Sequence, residues 1–233
     1  MQELSPSYYF DLSNYKHAKL FSNIDHVWDV LLSVSTYLRS NKLGVIEIAI
    51  PPGVHLVNPE LISIAQGTIV EPGAYIKGPC LIGENCTIRH GAYIRGDLIC
   101  GNHCVIGHDT EIKNSILLDH AHAAHFAYVG DSVLGNKVNL GAGTKCANLK
   151  LDNGPVSINF QGKHYPTGLR KFGAIIGDGV QIGCNAVTNP GTLIGKNSIC
   201  HPCLNIRDFI PANHIVKNGV APIICERRPK ETK

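Results

Sequence analysis

The chain has 233 residues, of which 44% are hydrophobic and 17% charged, and its formal net charge is +3. This balance suits a globular domain. Basic residues gather only at Arg227, Arg228, Lys230 and Lys233, which argues against a nucleic-acid partner. No apolar run approaches the ~18 residues of a membrane span. The start, MQELSPSYYF, lacks the basic-then-apolar plan of a signal peptide. A cytoplasmic location without membrane contact is expected. The nine cysteines are an odd number and argue against a disulfide framework.

The first regular element is a helix. Ile24, Val27, Trp28, Leu31, Val34 and Leu38 follow helical spacing, and Ser22 with Asp25 reads as a capping box. A helix of about 17 residues is predicted, within a cap segment over 1–50 that shields the end of a repeat region. Pro51-Pro52-Gly53 marks the boundary.

The repeat then begins. Stepping by six from Ile64 gives Val70, Ile76, Ile82, Ile88, Ile94, Cys100, Ile106, Ile112 and Leu118, all apolar. The ladder resumes in a shifted frame at Leu134, Leu140 and Cys146. It appears again at Ile176, Ile182, Thr188, Ile194, Cys200 and Ile206. Two places earlier the residue is small, as at Ala74, Cys80, Cys86, Ala92 and Cys104. Each hexapeptide makes one strand and one turn, and three close a triangular coil with both the ladder and the small residue inside. Six of the cysteines therefore pack as small hydrophobes. Cys200-His201-Pro202-Cys203 looks like a metal knuckle. It has no second cysteine pair, and Cys200 is on the ladder, so no metal is expected there. The pattern resembles the hexapeptide repeat of left-handed parallel β-helices. The predicted fold is mainly β: such a helix over 51–210, with a short N-terminal helix, a projecting hairpin arm and a tail over 211–233.

The ladder is interrupted twice. Residues 119–129 break its frame, and 149–173 leave it. There Leu149, Leu151, Asn153-Gly154, Val156, Ile158 and Phe160 read as a hairpin arm turning at Asn-Gly.

The chemistry-bearing motifs lie around these interruptions. They are His125-x-x-Tyr128-x-Gly130-Asp131, then Asn139-Leu-Gly-Ala142-Gly-Thr144, then Ala147-Asn148. Over about residues 20–210 this set resembles the acetyltransferase domain of glucosamine-1-phosphate acetyltransferases. The similarity extends to their archaeal-type branch, with its arm ending in Arg170-Lys171-Phe172-Gly173. Many members carry a fused N-acetylglucosamine-1-phosphate uridylyltransferase. Residues 1–50 hold no glycine-rich nucleotide loop, so uridylyl transfer is not expected of this sequence.

The resemblance implies an N-acetyltransferase that uses acetyl-CoA on the amine of glucosamine-1-phosphate, with no metal in the acetyl step. His125 would be the base, a residue type that titrates near neutrality. Glu111 would orient it or raise its basicity, and Asn148 would lie beside the reacting amine and the acyl group. Arg95, Lys113 and Lys171 would hold the phosphate, while Tyr128 and Asn139 would contact the sugar. Ala142, Cys184 and Pro202 would meet acetyl-CoA; the last two depart from the Ser and Ala common in the family. Members are homotrimers with sites between coils. Independently of the resemblance, Arg95 and Lys113 are 18 residues apart, one full coil, and so stack on one face. Three other readings are a transferase for a nucleotide-linked amino sugar, a non-catalytic scaffold, and a metalloprotein like the gamma-class carbonic anhydrases. The last would use His120, His125 and a third ligand near Glu84, with His90 on another side of the triangle.

Overall fold

A computed structural model describes residues 2–218. The predicted basic cluster at 227–233 and Cys225 lie outside these residues. Three parallel sheets of eight strands each form the body. The first face runs from His55–Val57 to Asn205–Ile206, the second from Ile62–Ile64 to Phe209–Ile210, and the third from Ile69–Val70 to Ile215–Val216. The chain visits them in that order, coil after coil, as a parallel β-helix of the left-handed, hexapeptide type. The coil reaches beyond 51–210 at both ends. Ile46 bridges Ile64 in parallel, and Ile215 pairs with Ile199.

The interior is the predicted ladder with its small partners. Cys80, Cys86, Cys100, Cys104, Cys146 and Cys200 are all buried. Burial pushes the Cys80 thiol up to about 12 and Cys146 and Cys200 to about 11, so they stay neutral. Polar residues in small slots bond to the coil itself: Thr110 Oγ1 donates to the Ala123 carbonyl at 2.9 Å, and Ser132 Oγ to that of Gly130 at 2.8 Å.

The frame shift has a different origin from the one expected. Residues 119–129 are regular coil, with Ala123 and Val129 on the ladder: Ala123 pairs with Ile106 and Val129 with Ile112. The missing residues are at the corners leading to the second face. There Leu117, not Leu118, pairs with Cys100, and Leu134 pairs with Leu117. These two corners turn through Asn114 at φ 41° and Asp131 at φ 49°, side chains that tolerate the left-handed region. Leu118 is buried in a second cluster outside the coil.

That second cluster covers the outer side of the second face. Ile99, Ile116, Val133, Ile175 and Leu193 point outward there. The N-terminal segment covers them with Tyr9, Phe10, Trp28, Leu31 and Val34, among others. A strand buried on both sides reads as a continuous apolar run, which explains Leu98-Ile99-Cys100 and Ile116-Leu117-Leu118. The segment is pinned at its start by Asp178, whose Oδ2 accepts the Asp11 N–H at 2.6 Å. Its helix is shorter than predicted, Val30–Ser40, entered through a 3-10 turn at Val27–Asp29. Asn23 at φ 60° stops an earlier start, and Asp29, not Asp25, accepts the capping N–H, from His26 at 2.9 Å.

The arm also departs from expectation in its turn. Its paired strands are Ser157–Phe160 and Lys163–Pro166, joined through Gln161 and Gly162, both at positive φ. This is the two-residue turn that matches strand twist. Asn153-Gly154 forms a separate tight loop, with Asn153 N–H on the Lys150 carbonyl at 3.0 Å. Val156, Ile158 and Phe160 fold back onto the second cluster, while Leu151 at the loop tip is fully exposed.

Trp28 is 1% exposed, stacks on His26 at 4.6 Å and meets Phe172 and Tyr165. It joins segment, coil and arm. Trp28→Ala should therefore lower unfolding stability by about 3–5 kcal/mol, read from the chemical-denaturation midpoint.

Candidate functional site

Outward side chains on a parallel coil form columns, because each strand sits in register with the next at a spacing of ~4.8 Å. Two columns on the first face matter. One holds Tyr75, Tyr93, Glu111 and Tyr128, neighbours in the strand register. The other, two residues further on, holds Lys77, Arg95, Lys113 and Gly130. The predicted stacking of Arg95 and Lys113 is present. Lys77 continues the column by another 18 residues, a signal that the sequence carried and that was missed.

Both cations have carboxylate partners. Arg95 Nη1 lies 2.6 Å from Glu111 Oε1, and this bond holds the guanidinium above its ordinary pKa. Lys113 Nζ lies 2.7 Å from Asp131 Oδ2. Glu111 thus binds Arg95 and not His125, the partner expected for it.

Asp131 is the hub of the patch. It is 4% exposed, and its carboxylate also accepts from Asn114 Nδ2 at 2.8 Å and from Asn148 Nδ2. Asp131 stands at the shortened corner, and its carboxylate meets first-face side chains. Asn148 hydrogen-bonds the Tyr128 phenol in turn, and burial, aided by Asp131 and Glu111, lifts that phenol above its ordinary pKa. Gly130 leaves the space for this contact: a Cβ there would come within 2.6 Å of Tyr128 Oη and 2.7 Å of Asn148 Nδ2. Asp131 and Gly130 stood in the sequence motif without a role. Lys171, exposed, bridges Leu149 at the base of the arm, one residue from Asn148.

A second arrangement lies at the corner after the third face. His125 ends the strand His122–His125, and Ala142, Cys184 and Pro202 occupy the same position in the coils below. Backbone bonds tie them together. The carbonyls of His125, Ala142 and Cys184 accept from Gly143, Asn185 and Cys203 at 3.0, 2.8 and 2.9 Å. The His125 ring is exposed and has no hydrogen-bond partner among the described residues; exposed Phe126 lies beside it at 6.4 Å. The corner below offers only small or flat side chains and backbone, which suits a long thin ligand. In the coil above, His125 pairs with His108, and His108 stacks on His90 at 5.8 Å. The one-residue omission brings His90 into this column.

Asn139 is not with the others. It sits on the third face, in register with His122 and Gln181, while Tyr128 is on the first. The metalloprotein geometry is also missing. His120 stacks on His103 at one end of the third face, and His125 is at the other. Among the described residues, the one group whose ligand atoms converge is Cys86, Cys100 and Cys104, inside the coil. No described helix is long and apolar enough to cross a membrane.

The family model for the GMPPB C-terminal domain matches residues 76–161. A bifunctional GlmU protein of Methanococcus maripaludis is 33% identical over 211 residues, 89% of this chain and 50% of that protein. A bifunctional sugar-1-phosphate nucleotidylyltransferase/acetyltransferase of Sulfurisphaera tokodaii is 42% identical over 90 residues, 39% of this chain and 22% of that protein. The bifunctional GlmU protein of Wigglesworthia glossinidia brevipalpis is 26% identical over 199 residues, 85% of this chain and 40% of that protein. The chain thus spans half or less of these relatives.

Gly130→Ala should keep the coil, since this glycine has no positive φ, but push the Tyr128 ring off Asn148. A crystal structure of the variant with Tyr128 and Asn148 unmoved would show that Gly130 has no part in shaping the patch.

Proposed function

We propose that this chain, a relative of the bifunctional GlmU proteins along 89% of its length, is a sugar-phosphate N-acetyltransferase. The name of one relative, that of Sulfurisphaera tokodaii, couples sugar-1-phosphate nucleotidylyl transfer with acetyl transfer. The finer reading is transfer from acetyl-CoA to the amine of glucosamine-1-phosphate. The observation that carries it is the placement of exposed His125 at the head of the small-residue corner, one short turn before the Tyr128 strand.

In this reading acetyl-CoA lies along the corner beside Ala142, Cys184 and Pro202, with its thioester near His125. Arg95, Lys113 and Lys171 face the phosphate. Tyr128 and Asn148 contact the ring and the amine. The neutral amine attacks the thioester carbonyl, His125 takes the amine proton, and the C–S bond breaks to release CoA, which ends protonated as the thiol. The Asn148 amide, held by Asp131 through one N–H, would turn its other N–H from the Tyr128 phenol toward the developing oxyanion. No metal is required for these steps.

Asn139 reaches such a substrate only from a second copy, whose third face would oppose this first face. A homotrimer is therefore part of the proposal, and light scattering should give three chain masses. A monomer would remove Asn139 from the acceptor site.

Thiol release from acetyl-CoA with glucosamine-1-phosphate tests the chemistry. His125→Ala should reduce turnover by about 100-fold or more. Unchanged turnover would sink the base assignment, and no turnover with any amino sugar would favour a scaffold. Lys77 supports a second acceptor reading. It extends the basic column one coil past Arg95 and has no ion pair among the described residues, which suits a longer, nucleotide-linked amino sugar. The same assay with both acceptors separates the two.

A further inference from the structure

Apart from the first face, a cavity of about 240 Å³ lies where the N-terminal segment meets the early coils. Lys16, His17, Asn41, Lys42 and Glu47 line it, together with the backbone of the second face. Lys16 and Lys42 are exposed and have no ion pair or hydrogen bond among the described residues. The one carboxylate at the wall, Glu47, already accepts the Gln66 N–H at 3.1 Å. Two cations against one anion leave the cavity with an excess positive charge.

His17 is the built part of this cavity. It is 7% exposed, so the ring is more than nine-tenths buried, yet it lines the space. Its Nδ1 lies 2.9 Å from the Tyr37 hydroxyl. Asn41 lies beside it on the cavity wall. Its side-chain amide donates to the Tyr37 backbone carbonyl at 2.7 Å, which holds the end of the helix that carries the phenol. We assign the phenolic hydrogen to the bond with His17 Nδ1, which puts the neutral ring's own hydrogen on Nε2. Nε2 has no partner among the described residues. Burial, with Lys16 adding to it, lowers His17 to about 4, so the ring is neutral at ordinary pH. Nε2 keeps some solvent access, so an acceptor in the cavity would replace water at this N–H.

We propose that this cavity binds a small anion, a phosphate ester or a carboxylate, held by Lys16, Lys42 and the Nε2–H of His17. Glu47 disfavours a ligand charged on every side and receives a hydroxyl or amine donor from it. The site involves none of the residues in the proposed transfer reaction. It joins the N-terminal segment to the second-face coils, so occupancy would stabilise their contact by mass action.

The test is a titration of the full chain with inorganic phosphate and, separately, with malonate, at constant ionic strength. The readout is the His17 ring in ¹H–¹⁵N spectra. A saturable shift of the Nε2–H signal is expected with at least one probe, and which probe acts assigns the anion class. Lys16→Ala/Lys42→Ala, at exposed positions, should weaken it at least about tenfold, the equivalent of about 1.4 kcal/mol. Lys113→Ala should leave the His17 response intact. The proposal fails if neither probe moves His17, if the double variant binds as tightly as wild type, or if the response depends on Lys113.

Discussion

Parallel strands stacked coil on coil must keep their inward residues in step, because one residue of slip would turn every side chain to the opposite side. This register is what the rest of the molecule depends on. It holds even where the chain omits a residue, since the omission is absorbed at the corners and the strands do not change. Leu117 replaces Leu118 against Cys100, and the ladder continues through Ala123 and Val129. A corner shortened by one residue needs a left-handed residue to turn, and Asn114 and Asp131 supply it. The buried carboxylate that binds Lys113 and Asn148 sits at one of these corners.

The second constraint is the outer side of the second face. A coil of this kind can present three polar faces, but here one is apolar and needs a cover. The N-terminal segment and the arm share that task, meeting at Trp28, Tyr165 and Phe172. The arm thus has two sides with different roles. Val156, Ile158 and Phe160 hold it to the body, while its base places Lys171 opposite Leu149, next to Asn148. Rigid support beneath a polar patch is what any positioned chemistry requires.

Much of this was legible in the sequence, and the reasons differ by feature. The ladder and the cysteine slots could be read because the interior repeats a single steric demand every six residues. The stacking of Arg95 and Lys113 came from the same count. The frame break was misplaced because only the apolar positions were counted. Ala123 is too small to announce a ladder position, and Leu118 is apolar for another reason, the cover outside. The helix and the hairpin turn were displaced for local reasons. Asn23 takes a left-handed turn within the helical pattern, and Gln161-Gly162 out-competes Asn153-Gly154 because residues on both sides of it can pair. Side-chain partners were not legible: spacing cannot tell that Glu111 turns to Arg95. The separation of Asn139 from Tyr128 was there to be read, since 11 residues is about two hexapeptides and not a full coil.

The pairing of charges bears on how a phosphate would be held. Within the patch, Arg95 with Glu111 and Lys113 with Asp131 each sum to zero, so these two members of the column are not free positive sites. The two pairs differ in freedom. Asp131 is buried and bound by two amides as well as by Lys113; pulling the lysine away would strand a desolvated carboxylate. Lys113 is thus the fixed member, able to add a contact without leaving its partner. Arg95 and Glu111 are both substantially exposed, with side chains 42% and 36% accessible, and their bond is easily exchanged for one to a dianion. A guanidinium can also keep one carboxylate while offering its remaining donors to a phosphate. In the proposed reading, then, Arg95 is the arginine that turns to the substrate, and Lys113 with Asp131 is the anchor that keeps Asn148 and Tyr128 in place while it does so.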